Sequence, residues 1–155
     1  MDKQIEWRDV EYEAWKRKMY AERGQKISQV AQTMINGGKI AWAAPVGYLN
    51  HKRSDGTREV LVDHRLAPLV RQSFELVVEG KYSLREALKI MTARGLVSRS
   101  GKPMGISSFC AMLRNEFYCG MICAEGGTVA GRHQAIVDMK LFMLVNTRSS
   151  AAKDC

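Results

Sequence analysis

The segment from Lys81 to Gly120, KYSLREALKIMTARGLVSRSGKPMGISSFCAMLRNEFYCG, constrains the fold more than any other. Ser83 ahead of Leu84 predicts a helix start, because its hydroxyl can accept from a free backbone N–H of the first turn. Glu86, three residues on, completes a capping box. Leu84, Ala87, Leu88 and Met91 then recur at helical spacing and give one apolar stripe. Gly95 is placed to end that helix with a left-handed cap. After a polar, basic loop from Ser98 to Pro103, a second short helix is predicted from Ile106 to Asn115, with Phe109, Met112 and Leu113 inward. Two short helices joined by a basic loop have a shape that can set one helix into a DNA major groove. The same pattern fits an ordinary helical hairpin whose charges are solvated.

Charge placement bears on that choice. The chain of 155 residues carries a net charge of +8. Most of the excess falls between residues 81 and 115, where Lys81, Arg85, Lys89, Arg94, Arg99, Lys102 and Arg114 face a single acid, Glu86. The segments on either side are close to balanced. A localised basic surface favours a polyanion, of which nucleic acid is the commonest. At 46% apolar residues the chain can bury a core, and no run is apolar enough to cross a bilayer. The N-terminal Met1 to Glu6 is too polar for a signal peptide, so a cytoplasmic location and no membrane partner are expected.

Four cysteines, Cys110, Cys119, Cys123 and Cys155, are then expected to be free thiols. Cys119 and Cys123, with His133 beyond them, raise a metal site, but the second close pair of ligands is missing. Cysteine buried in a core strand is the better fit, and neither metal nor cofactor is expected.

Along the rest of the chain, residues 5–35 read as one long helix or two broken near Gly24. A linker holding Gly37, Gly38 and Pro45 follows. Tyr48 to His51 and Thr57 to Val62 pair as a hairpin turning at Asp55-Gly56, since glycine supplies the positive dihedral the turn needs. Asp63 is expected to cap a helix from about Arg65 to Glu79, with Pro68 in its first turns and Leu66, Leu69, Val70, Phe74, Val77 and Val78 on the core face. A second hairpin is expected around Glu125-Gly126-Gly127, then an extended run from Gly131 to Val137. Asp138 is placed to cap a last helix from Lys140 to about Thr147. The fold class is α+β and mostly helical. Residues 1–36 form a linker or oligomerisation helix, 37–47 an extended linker, 48–148 a helical domain with two small hairpins and a helix-turn-helix-like segment, and 149–155 a frayed tail.

The order of these pieces resembles the large serine recombinases. Ala44-Pro45-Val46-Gly47-Tyr48 looks like the junction after that family's catalytic domain. Ala67, Phe74, Gly80, Ser83, Ala87 and Gly95 follow in the family's order. Leu113-Arg114-Asn115-Glu116-Phe117-Tyr118-Cys119-Gly120 is similar to its Leu-x-Asn-Pro-x-Tyr-x-Gly run, and Gly131-Arg132-His133-Gln134-Ala135-Ile136-Val137 to its Gly-Arg-His-x-x-Ile run. Glu116 replaces the usual proline, and Gly105-Ile106 an aromatic. The resemblance covers about residues 11–145 and implies the family's DNA-binding domain, with the catalytic serine domain and the zinc ribbon both missing.

What the resemblance implies is a double-stranded DNA-binding module of a site-specific recombinase, bacterial or phage-derived, that recognises an attachment or resolution site without cleaving strands itself. The helix around Ser107, Ser108 and Arg114 would face the major groove, and the linker around Lys39 the minor groove. Lys39, Arg99, Lys102 and Arg114 would contact phosphates or base edges. An enzyme in its own right finds no nucleophile paired with a base. The alternative is a small helical interaction or regulatory protein that self-associates through the N-terminal helix, anchored by Trp7, Trp15 and Tyr20. It differs in requiring little DNA affinity.

Overall fold

The computed structural model describes Ala14 and residues 29–40, 42–124 and 127–151. Most of the predicted N-terminal helix, with Trp7, Trp15 and Tyr20, lies outside them. Five helices and two antiparallel strand pairs follow one another in the described residues. They are α1 (Gln29–Asn36), β1 (Tyr48–Lys52), β2 (Arg58–Val62), α2 (Ala67–Glu79), α3 (Leu84–Ala93), α4 (Ile106–Leu113), a short 3-10 helix (Glu116–Cys119), β3 (Met121–Ala124), β4 (Gly127–Ala130) and α5 (Met139–Ala151).

Local chemistry sets most of the boundaries. In α3 the Ser83 side chain accepts from Glu86 N while the Glu86 carboxylate accepts from Ser83 N at 2.8 Å, the predicted capping box. That backbone hydrogen bond holds the Glu86 carboxyl below its ordinary pKa. At the other end Gly95 has φ +103, and Leu96 N donates to Met91 O while Gly95 N donates to Thr92 O. This is the paired bonding of a Schellman cap. The β1–β2 hairpin has Tyr48 opposite Val62 and Lys52 opposite Arg58. Its loop is a three-residue turn: Gly56 N donates to Arg53 O, Arg53 N donates to Thr57 O, and the Asp55 carboxylate accepts from Thr57 N.

Several expectations need correction. The helix after Asp63 begins at Ala67, because the Asp63 carboxylate accepts from Arg65 N and Leu66 N and winds a separate lead-in turn. Pro68 then falls in the first helical positions, as expected. Helix α4 ends at Leu113 rather than Asn115, whose side chain instead caps the 3-10 helix by accepting from Phe117 N. The run from 131 to 137, expected to be extended, bends instead: Gly131 N donates to Gly120 O and Arg132 N to Gly38 O, so the segment folds back on the linker and the corner. Helix α5 is longer than expected and runs to Ala151. Cys110 is disulfide-bonded, contrary to the expectation of free thiols. That expectation rested on compartment, which does not decide which thiols a fold brings together.

One core unites these elements. Helix α2 packs on α3 and α5, α4 packs on both α3 and α5, and α1 packs on β3. Phe74 of α2 is fully buried, with its ring near those of Tyr118 and Phe142. Two buried polar groups are satisfied internally, the Ser73 hydroxyl donating to Leu69 O and the Asn146 amide to Leu113 O and Phe142 O.

The 3-10 corner gathers the remaining segments. Tyr118 Oη donates to Val46 O at 2.7 Å, tying the linker down, and Tyr118 O accepts from both Ile136 N and Val137 N. Tyr48 Oη donates to Gln134 O. Burial raises the pKa of both phenols, so they stay protonated donors. His133 stacks flat on Phe117, with centroids 3.6 Å apart, and its Nε2 lies 2.6 Å from Phe117 O. Its Nδ1 is buried with no hydrogen-bond partner. A Cβ on Gly131 would run into the His133 ring, which explains the glycine two residues before it.

Three outcomes are expected in urea unfolding. Phe74→Ala should cost about 3–5 kcal/mol by emptying the core, and Tyr118→Phe about 1–3 kcal/mol by leaving Val46 O without its donor. The third concerns pH. Burial lowers the His133 pKa from its ordinary 6.5, against the smaller opposing effect of the Phe117 hydrogen bond. The unfolded chain therefore takes up its proton first as pH falls, and stability declines below about pH 6.5. Between about pH 6.5 and about pH 5, above the carboxylate range, wild type should lose stability and His133→Gln should not.

Candidate nucleic-acid interface

The basic segment folds as α3, a tight loop and α4. Val97 bridges to Pro103, Ser98 N donates to Lys102 O, and Gly101 N donates to Ser98 O with Gly101 at φ +76. The Ser98 and Ser100 hydroxyls also bond to each other at 2.9 Å. The loop expected from its polar composition is thus a pinned hairpin, and it holds Arg99 and Lys102 exposed at its edge.

Helix α4 divides its residues cleanly. Phe109, Cys110, Met112 and Leu113 are buried, while Ser107, Ser108 and Ala111 are exposed. The outward face is therefore short side chains only, two of them hydroxyls able to donate and accept. Arg114, at the C-cap, is half-exposed. The predicted residues Arg99, Lys102, Ser107, Ser108 and Arg114 thus all lie on the loop and helix of one hairpin.

The other cations of the segment are partly committed. Lys81 lies 3.5 Å from Glu79, and Arg94 donates to Gln72 at 3.2 Å, bracing α3 against α2. Arg99 and Lys102 make no ion pair among the described residues.

Lys39 belongs to a different surface. It follows α1, which ends as Lys39 N donates to Met34 O and Gly38 N to Ile35 O, with Gly38 at φ +74. The linker is packed down: Gly38, Ala44 and Gly47 are buried, and Ala44 N donates to Asn50 Oδ1. Lys39, Trp42 and Ala43 remain exposed. Linker and basic loop approach each other across a groove of about 330 Å³, whose lining includes Ala44, Leu49, Asn50, Arg65, Arg99 and Gly101. Sequence reasoning missed Arg65 and Asn50 because only the tertiary fold puts them beside Arg99.

No metal-binding cluster forms among the described residues. Neither Cys119 nor Cys123 is disulfide-bonded and both are half-buried, and burial pushes the Cys119 thiol up to about 12, so it stays protonated and donates to Glu116 O. Of the histidines, His51 sits 4.0 Å from Glu59 on the exposed hairpin, and His133 is held in the corner. No described helix is long and apolar enough to cross a membrane.

Comparison with curated proteins gives no significant match. Two solved structures have a similar fold. One is described as the crystal structure of an LSR–DNA complex, with 20% identity, 78% of this chain and 37% of that one covered, and a TM-score of 0.62. The other concerns the sequence requirements of the Listeria innocua prophage attP site, with 20% identity, 76% and 48% covered, and a TM-score of 0.62. At this identity the likeness is one of fold, and this chain spans less than half the length of either. The family model described as Recombinase matches residues 65–151. That match takes in more than half of the sequence and every element from α2 to α5, and the chain belongs to the Recombinase family.

Proposed function

We propose that this chain supplies the DNA-binding region of a site-specific serine recombinase and recognises its attachment or resolution site in double-stranded DNA. The observation that carries this reading is the outward face of α4. Ser107, Ser108 and Ala111 leave the helix slim enough to approach base edges, while Arg99, Lys102 and Arg114 stand at its ends where phosphates would run. Residues 48–148 act as the recognition domain. The linker from 37 to 47 carries Lys39 along the minor groove, and the region before it serves self-association. Strand cleavage is assigned to another part of such a recombinase. The likeness to chains solved with DNA or studied at a prophage attP site supports the same reading.

Retention of genomic DNA fragments at two salt concentrations, with sequencing of the retained pool, tests it. One short motif should be enriched, and its retention should weaken steeply with salt. Uniform retention would leave a non-specific basic binder, and no retention at low salt would sink the DNA reading. Alanine at Lys39, Arg99, Lys102 or Arg114 should lower the salt slope by about one unit each, by loss of counterion release. Ser107→Ala and Ser108→Ala should instead relax sequence preference, by about 1–3 kcal/mol where a base edge is left without its hydroxyl partner.

A further inference from the structure

We infer that the groove between the linker and the basic loop is a slot for the sugar–phosphate backbone of DNA, and that Arg65 is a phosphate-contacting residue within it. This rests on the DNA-binding reading above and adds a contact outside the basic segment. Three separated stretches line the groove: Ala44 to Asn50, Asp63 to Leu66, and Val97 to Gly101. Arg65 and Arg99 come from two of them, and both are exposed.

The charge of the lining suits a phosphodiester. Two guanidinium groups meet one carboxylate, that of Asp63, which already accepts from Arg65 N and Leu66 N. The same two bonds fix the backbone of residues 63–66, so Arg65 projects from a braced turn and little ordering remains for it on binding. Asn50 spends its side-chain oxygen on Ala44 N, which leaves its amide N–H groups as donors at the groove. Arginine presents several donors in a planar fork that matches phosphate oxygens.

The apolar part of the lining decides between a strand and a free anion. Leu49 is 52% exposed and borders the groove with Ala44. A free inorganic anion gains nothing from such a wall, whereas a deoxyribose beside the bound phosphate rests on it. The groove also has the linker on one side and the basic loop on the other, so a strand passing between them would touch both.

The test is a salt titration of DNA binding by the full chain, with Arg65→Ala and Arg65→Gln compared with Arg71→Ala. Arg71 pairs with Glu75 on the exposed face of α2 and serves as the control. Both Arg65 variants should lower the salt slope by about one unit, weaken target and non-target DNA alike, and keep the wild-type melting temperature. Arg65→Lys should restore the slope. Arg71→Ala should leave it unchanged. A wild-type slope in both Arg65 variants, with Arg99→Ala still lowering it, would overturn the slot and leave the DNA-binding reading intact. Absence of salt-dependent binding in wild type would remove that reading and the slot together. Stabilisation of wild type but not Arg65→Ala by inorganic phosphate, with unchanged DNA binding, would make the groove a small-anion site and overturn the proposal.

Discussion

Tyr118 makes three hydrogen bonds that close the fold. Its hydroxyl holds Val46 O, and its carbonyl accepts the N–H groups of Ile136 and Val137. Those partners lie far apart in the sequence, one before the first hairpin and two after the second. Each bond exchanges a hydrated polar group for a buried partner, and losing one leaves a dry donor or acceptor behind. The rings of Tyr48, Phe117 and His133 pack around the corner. Linker, 3-10 turn and the segment before α5 are therefore set by one small polar cluster inside an aromatic shell.

The interface depends on this arrangement at second hand. Helix α4 is only eight residues long, and a helix of that length is marginal in isolation. Its stability comes from burying Phe109, Met112 and Leu113 against α3 and α5. Asn146 of α5 caps the arrangement by donating to Leu113 O, a carbonyl of the last turn with no helical partner of its own. The outward face is thereby freed from any part in holding the helix. Its residues can be chosen for what they meet outside.

Much of this was legible in the sequence, because the decisive signals were local. Ser83 with Glu86 and Asp55 with Gly56 state a helix start and a turn within a few residues, and both form. The apolar stripe of α4 gave its inward face correctly. What escaped the reading depends on distant partners. The run from Gly131 to Val137 reads as extended, but its N–H groups go to Gly120, Gly38 and Tyr118, and it bends between them. Nothing local marks Ser73 or Asn146 as buried, yet helical carbonyls satisfy them inside the core. Arg65 carried no signal at all, since its significance arises from lying across a groove from Arg99.

The packed linker has a mechanical consequence. Ile35, near the end of α1, is fully buried in the common core, and Gly38 O is bonded to Arg132 N. The passage from helix to domain contains glycines that would suit a swivel, but its backbone is clamped at Gly38, Ala44 and Val46. A torque applied along α1 is then not dissipated in the connection. It would reach the domain through the bonds at Gly38, Ala44 and Val46.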